Sequence, residues 1–233
     1  MAEIGRHKYG ISGWNPLPWG PQQTLRQAVQ CHFRPQKSLL PDHQRLGSIF
    51  TARNIVNISG IKIKWTENIV DHLLLADGDQ TVFIFPYVGF LKHNQSFLNP
   101  IYPVDFVEET LRTLSLLFPS NDTKSRIWLK GILKSNNEQQ CPGKGLSTCG
   151  SLRSHECRFE NFPYWHDRLV ILKQAFDDSS PRTLNQWWND RRNSVQWYTF
   201  WVAIMVFIMT VVFGVVQSVE GALQTYFSWR ALQ

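Results

Sequence analysis

Apolar and polar positions alternate with different periods along the chain, and those periods predict its elements. The most extreme stretch runs from Trp197 to Val216, WYTFWVAIMVFIMTVVFGVV, 20 residues without a charge; the uncharged window extends from Asn193 to Val219. At about 1.5 Å per residue, 20 residues reach roughly 30 Å, the hydrocarbon thickness of a bilayer. Eleven of the 20 are Val, Ile or Phe, which favours insertion by roughly 3 to 7 kcal/mol in total. A helix buried in a soluble core rarely runs this long without a polar face. The pattern therefore predicts a transmembrane helix over 197–219, entered by a juxtamembrane helix over 179–196 and followed by a short tail over 220–233.

The preceding chain predicts one α+β domain over 46–178. Gly60–Trp65 alternates apolar and basic residues, the period of a half-buried strand. Thr66 followed by Ile69 and Val70 predicts a capped short helix through His72. Leu73–Leu75, Asp77-Gly78-Asp79 and Thr81–Phe85 read as a β-hairpin, because Asp and Gly tolerate positive φ in tight turns. This small mixed strand–helix–hairpin unit would suit a winged-helix-like arrangement or a small α+β sandwich. Val104, Val107, Leu111, Leu114 and Phe118 form one helical stripe behind Pro103, with Glu108 and Arg112 paired at i, i+4. Ser125–Lys134 predicts a shorter helix with Ile127 and Trp128 apolar and Arg126, Lys130 and Lys134 on a basic face. Residues 135–158, rich in Asn, Gly and Ser, read as a surface loop. A helix resumes near Pro163 with Trp165, Leu169, Leu172 and Phe176 in register. Residues 1–45 hold five of the 12 prolines and predict an irregular segment with one short helix across Thr24–Cys31.

Composition narrows the class. The 233 residues carry 24 Lys+Arg against 18 Asp+Glu, a formal charge of +6, with 43% hydrophobic residues and 10 Trp. That apolar content excludes a disordered chain, a collagen-like repeat and a coiled-coil rod, and the charge is too mild to indicate nucleic acid as a partner. Four Cys are too few for a disulfide scaffold at this length.

Aromatic and basic residues frame the apolar segment. Trp187, Trp188, Trp197 and Trp201 at its entrance and Tyr226 and Trp229 beyond its exit are of the types that anchor in the headgroup zone, joined by Arg191 and Arg192. Arg182, Arg191 and Arg192 precede the span and Arg230 alone follows it, which places the N-terminal part in the cytosol. The start of the chain has no apolar run of signal-peptide type. Against that orientation stand three glycosylation triplets, at Asn57, Asn94 and Asn121; with 13 Asn in the chain, one or two arise by chance. Within the span, Thr210, Gly214, Ser218 and Ala222 fall four apart. Small residues let helix backbones approach closely, so this row predicts packing with a second copy or with a partner's membrane helix.

No catalytic, cofactor or metal site emerges. Cys141, Cys149, His155 and Cys157 have spacings too wide for the close Cys pairs of zinc sites. Gly143-Lys144-Gly145-Leu146-Ser147-Thr148 lacks the spacing of a phosphate loop. His72, His93, His155 and His166 are scattered among carboxylates such as Asp71, Glu156 and Asp167.

The stretch PRTLNQWWNDRRNSVQWYTFWVAIMVFIMTVVFGVVQSVEGALQTY, with DHLLLADGDQTVFIF, VEETLRTLSLLFP and YWHDRLVILKQAF before it, resembles a family of fungal single-pass membrane-anchored proteins. Some relatives with similar ends are similar to CorA-type magnesium transporters. That family has two membrane helices joined by a Gly-Met-Asn loop, whereas this chain has one span and no Gly-Met-Asn. Together these readings predict a C-terminally anchored protein in a lipid bilayer, with a cytosolic domain that binds an unidentified protein and performs no catalysis. Two alternatives stand beside it. One is a subunit of an oligomeric CorA-like cation transporter or pore, with Gln217, Glu220 and Gln224 along a path; the other is a membrane-tethered enzyme whose site the sequence does not locate.

Overall fold

Thr24 opens the first helix by a reciprocal arrangement: its hydroxyl accepts the Gln27 amide, and the Gln27 side chain accepts the Thr24 amide. The resulting α1, Leu25–His32, buries Ala28 and Val29. The computed structural model of the chain describes residues 2–3, 16–17, 20–35, 37–41, 45–97, 100–135, 142–179 and 194–231. The chain divides into two units, 1–182 and 183–233.

In the first unit, Ala2–Glu3 (β1) and Pro16–Leu17 (β2) form a short antiparallel ladder. Thr51 caps α2, Ala52–Asn54, which widens at once into a π-helical turn, Ile55–Ser59. Gly60 ends that turn at φ 73°, a left-handed position that glycine adopts without steric cost. A three-stranded sheet follows, β3 (Lys62–Trp65), β4 (Leu75–Ala76) and β5 (Thr81–Ile84), in the order β3-β5-β4. β4 and β5 form the expected antiparallel hairpin, with Leu75 opposite Val82. Its loop puts Asp77, Gly78 and Asp79 at φ 57°, 63° and 63°, all residue types that tolerate the left-handed region. β3 runs parallel to β5, with Lys62 opposite Thr81. The central strand β5 is buried along its whole length, which explains why Val82–Phe85 reads as a continuous apolar run.

The helix expected between strand and hairpin is a single 3-10 turn, Ile69–Asp71. Its cap is Asn68, whose side chain accepts the Val70 amide, rather than Thr66; Thr66 instead accepts the Asn68 amide one step earlier.

Helices α3 (Val88–Ser96), α4 (Val104–Leu117), α5 (Thr123–Ser135) and α6 (His166–Asp178) complete the unit. On α4, Val107 and Leu114 are fully buried and Phe118 closes the stripe, while Val104 in the first turn is exposed. On α6, Leu169, Leu172 and Phe176 are buried below Trp165, as their spacing predicts. Asp122 holds the start of α5 by accepting the Lys124 and Ser125 amides.

Two flanking segments join this core. Phe33 packs against Phe106 at 4.4 Å between ring centres, so residues before 46 contribute. Pro142–Thr148 is a 3-10 helix whose Leu146 is fully buried. The Leu46 amide donates to the Cys157 carbonyl and the Ser115 hydroxyl to the Cys149 carbonyl. The stretch read as a surface loop thus supplies a core leucine and is tied to α4.

The described residues of the second unit form one unbroken helix, α7, Ser194–Ala231. Its 38 residues rise about 57 Å.

Candidate membrane-spanning helix and the polar centre of the folded unit

α7 is long and apolar enough to cross a membrane from Trp197 to Ala231, and none of its most apolar window is buried. Apolar side chains cover every side: Met205, Val206, Phe207, Ile208 and Met209 are consecutive and all exposed. A helix without a polar face has no side to offer water. Its threonine hydroxyls are provided for internally. Thr199, Thr210 and Thr225 each donate to the carbonyl four residues back, at 2.9, 2.8 and 2.8 Å. Such bonds spare these three hydroxyls the need for water within the helix.

The framing residues occupy the two ends. Trp197 lies 6.1 Å from Trp201 between ring centres, and Tyr226 lies 5.8 Å from Phe227; Tyr226 and Trp229 are exposed. Trp187, Trp188, Arg191 and Arg192, with most of the juxtamembrane helix predicted over 179–196, lie outside the described residues. Thr210, Gly214, Ser218 and Ala222 do fall along one helix. Steps of four advance about 40° each, so the row winds across about 120° of the surface. On the same geometry Gly221 lies near Gly214, and Gln217 and Gln224 border them. A side-chain carbon added at Gly214 or Gly221 would meet nothing within 4 Å.

In the folded unit, the sequence-predicted polar candidates separate rather than converge. His166 lies 3.1 Å from its neighbour Asp167. The Asp167 carboxylate accepts the Ser38 hydroxyl and the Ser38 and Leu39 amides. Burial opposes ionisation of Asp167, but those hydrogen bonds outweigh it and bring the group down to about 2. His93 stacks edge-on to Phe97, and the His155 carbonyl accepts from Asn161. Among the described residues no three potential ligands gather into a metal site; Cys141 lies outside them. Burial pushes the Cys149 thiol up to about 11 and raises that of Cys157 as well.

His72 belongs instead to a network the sequence did not announce. It is fully buried. Its Nδ1 accepts the Phe85 amide at 3.2 Å, so Nε2 carries the proton and donates to Thr113 Oγ1 at 2.7 Å. Thr113 donates to the Thr110 carbonyl, and Thr110 Oγ1 accepts from the Trp165 indole at 2.9 Å. Arg168 donates to the Val70 and His72 carbonyls at 2.5 and 2.7 Å. Beside it, buried Glu109 accepts the Tyr164 and Trp165 amides, capping α6 from α4. Burial, then the Arg168 charge, hold His72 down to about 3. Burial pushes Glu109 up to about 7, although the two amides favour its charged form. The network fastens α4, α6 and the segment 68–85 to one another. Leu73, next to His72, is held at φ 61°, costly for a branched side chain; it is buried, and its amide donates to the Phe83 carbonyl.

A surface cleft of about 380 Å³ is lined by Phe50, Thr51, Ser115, Asp122, Ser154 and Cys157 among others. Its carboxylate, Asp122, is engaged in capping α5.

No protein-family model, no curated protein and no solved structure matches the chain.

Proposed function

We propose that the chain is a single-pass membrane protein held in the bilayer by α7, with its folded unit on the cytosolic side acting as a protein-interaction domain without catalysis. The observation that carries this reading is the Trp197–Ala231 helix, long enough to cross a bilayer, with its most apolar window wholly unburied. Lipid is the solvent that accepts such a surface. Its length exceeds the hydrocarbon core, so the last turns, with Tyr226 and Trp229, extend into the interface.

The cytosolic side follows from Arg182, Arg191 and Arg192 ahead of the span against Arg230 behind it. The glycosylation triplets weigh less against it once placed in the fold. Asn94 is buried and Asn57 half-buried, which leaves Asn121 exposed. The interaction role is supported by exposed apolar residues: Phe90 on α3, Phe97 and Ile101 in the connection that follows it, and Val104 at the start of α4. The row of small residues around Gly214 supports close packing of α7 against a second copy or a partner's membrane helix.

Protease treatment of intact microsomes, with mapping of Asn121, tests the orientation. Digestion of the folded unit and an unmodified Asn121 are expected; a protected unit glycosylated at Asn121 would overturn the cytosolic placement.

A further inference from the structure

α5 carries four cations on the side that faces away from the core. At about 100° per residue, Lys124, Arg126, Lys130 and Lys134 share that side with Ile127 and Gly131, and all six are exposed. On the opposite side Ser125 and Leu129 are buried, while Trp128 and Leu133 pack against the core. Thr123–Ser135 contains no Asp or Glu. The nearest carboxylate in sequence, Asp122, is engaged with the Lys124 and Ser125 amides. Among the described residues none of the four cations stands in an ion pair.

Ile127 sits amid these charges and is 66% exposed. One exposed isoleucine is ordinary; one ringed by cations has a defined chemistry. Ammonium and guanidinium groups stay with phosphates at a lipid surface while an apolar side chain between them leaves water for the acyl boundary. We propose that this face of α5 is a second, peripheral membrane contact, seated on anionic phospholipid headgroups of the bilayer that α7 enters. It rests on the reading of α7 as a membrane anchor. Fifteen residues separate Asp178 from Ser194, at most about 50 Å of extended chain, so the folded unit meets that surface at high effective concentration. Each cation strengthens such a contact by about fivefold, and the four together by several hundredfold.

The full chain, reconstituted in phosphatidylcholine vesicles with or without phosphatidylserine, is acetylated on outward-facing lysines and read by mass spectrometry. Lys124, Lys130 and Lys134 are expected to react about fivefold or more slowly when phosphatidylserine is present, with exposed Lys62 and Lys92 as internal references. The protection should vanish in about 1 M NaCl, where screening acts within about 3 Å, and in Ile127→Glu, an exposed position whose change leaves the core intact. Equal labelling in the two lipids, or protection that survives the salt, would overturn the proposal. Alkaline washing of the same vesicles separates the two ideas. A retained chain with equal labelling refutes the α5 contact alone, whereas a released chain refutes the anchor and, with it, the contact.

Discussion

His72 and Glu109 oppose one another as pH changes, and replacing either should expose the other. The native pKa of His72 is depressed from 6.5 to about 3. Between those values the native state binds fewer protons than the unfolded chain, so this contribution to stability is lost as pH falls. At about 1.36 kcal/mol per unit the whole effect is about 5 kcal/mol, of which about 3 is lost by about pH 4.5. The native pKa of Glu109 is raised from 4.5 to about 7. There the native state binds more protons, so stability rises as pH falls through that window, by about 3 kcal/mol. In the wild-type chain the two contributions nearly cancel between about pH 7.5 and 4.5. His72→Gln, neutral at every pH, should leave Glu109 unopposed and gain about 3 kcal/mol on acidification relative to wild type. Glu109→Gln should lose about as much over the same range. Both variants will be less stable than wild type near pH 7.5, because each disturbs a buried hydrogen-bonded group; the slope with pH, not the level, is diagnostic. Urea midpoints of the purified chain in detergent, followed by tryptophan fluorescence, measure it. Slopes of the same sign in both variants, or profiles that parallel wild type, would refute the coupling of burial to proton binding at this network.

Other consequences concern α7 and the core. Val206→Arg with Val212→Arg, both exposed positions, should cost about 6 to 8 kcal/mol against the roughly 3 to 7 kcal/mol favouring insertion; a glycan-acceptor insertion assay should show the span failing to insert, and undiminished insertion would contradict it. Gly214→Leu, at a position where an added side-chain carbon meets nothing within 4 Å, should abolish crosslinked oligomers if the small-residue row packs helices together; an unchanged oligomer would remove that role. Leu146→Ala should cost about 2 to 5 kcal/mol in the same urea experiment, since Leu146 is fully buried; a neutral result would detach Pro142–Thr148 from the core.

What the chain disclosed in advance depended on local signals. α7 was legible because 20 uncharged residues are a statement about solvent. α6 was legible through Leu169, Leu172 and Phe176, and the hairpin through Asp77-Gly78-Asp79, because period and turn chemistry act between near neighbours. α3 carried no such signal: in VGFLKHNQS only Val88, Leu91 and Asn94 are buried, too few to mark a stripe. α2 carried none either: only three residues follow its cap, Thr51, before the helix widens. Leu146 stood alone among Gly, Ser and Lys, and nothing local says that a lone leucine is buried. On α4, Thr110 and Thr113 are buried although their types suggest surface. Their burial depends on Trp165 and His72, about 40 to 55 positions away in sequence. Of the candidate site residues, those on α7 followed from composition and helical geometry, while the His72 network required the tertiary fold.

The central claim is that α7 lies among lipid tails, and extraction of membranes with alkaline carbonate tests it most directly. The account predicts that the full chain stays with the sedimented membranes under conditions that strip peripheral proteins. Recovery of the intact chain in the supernatant would contradict it.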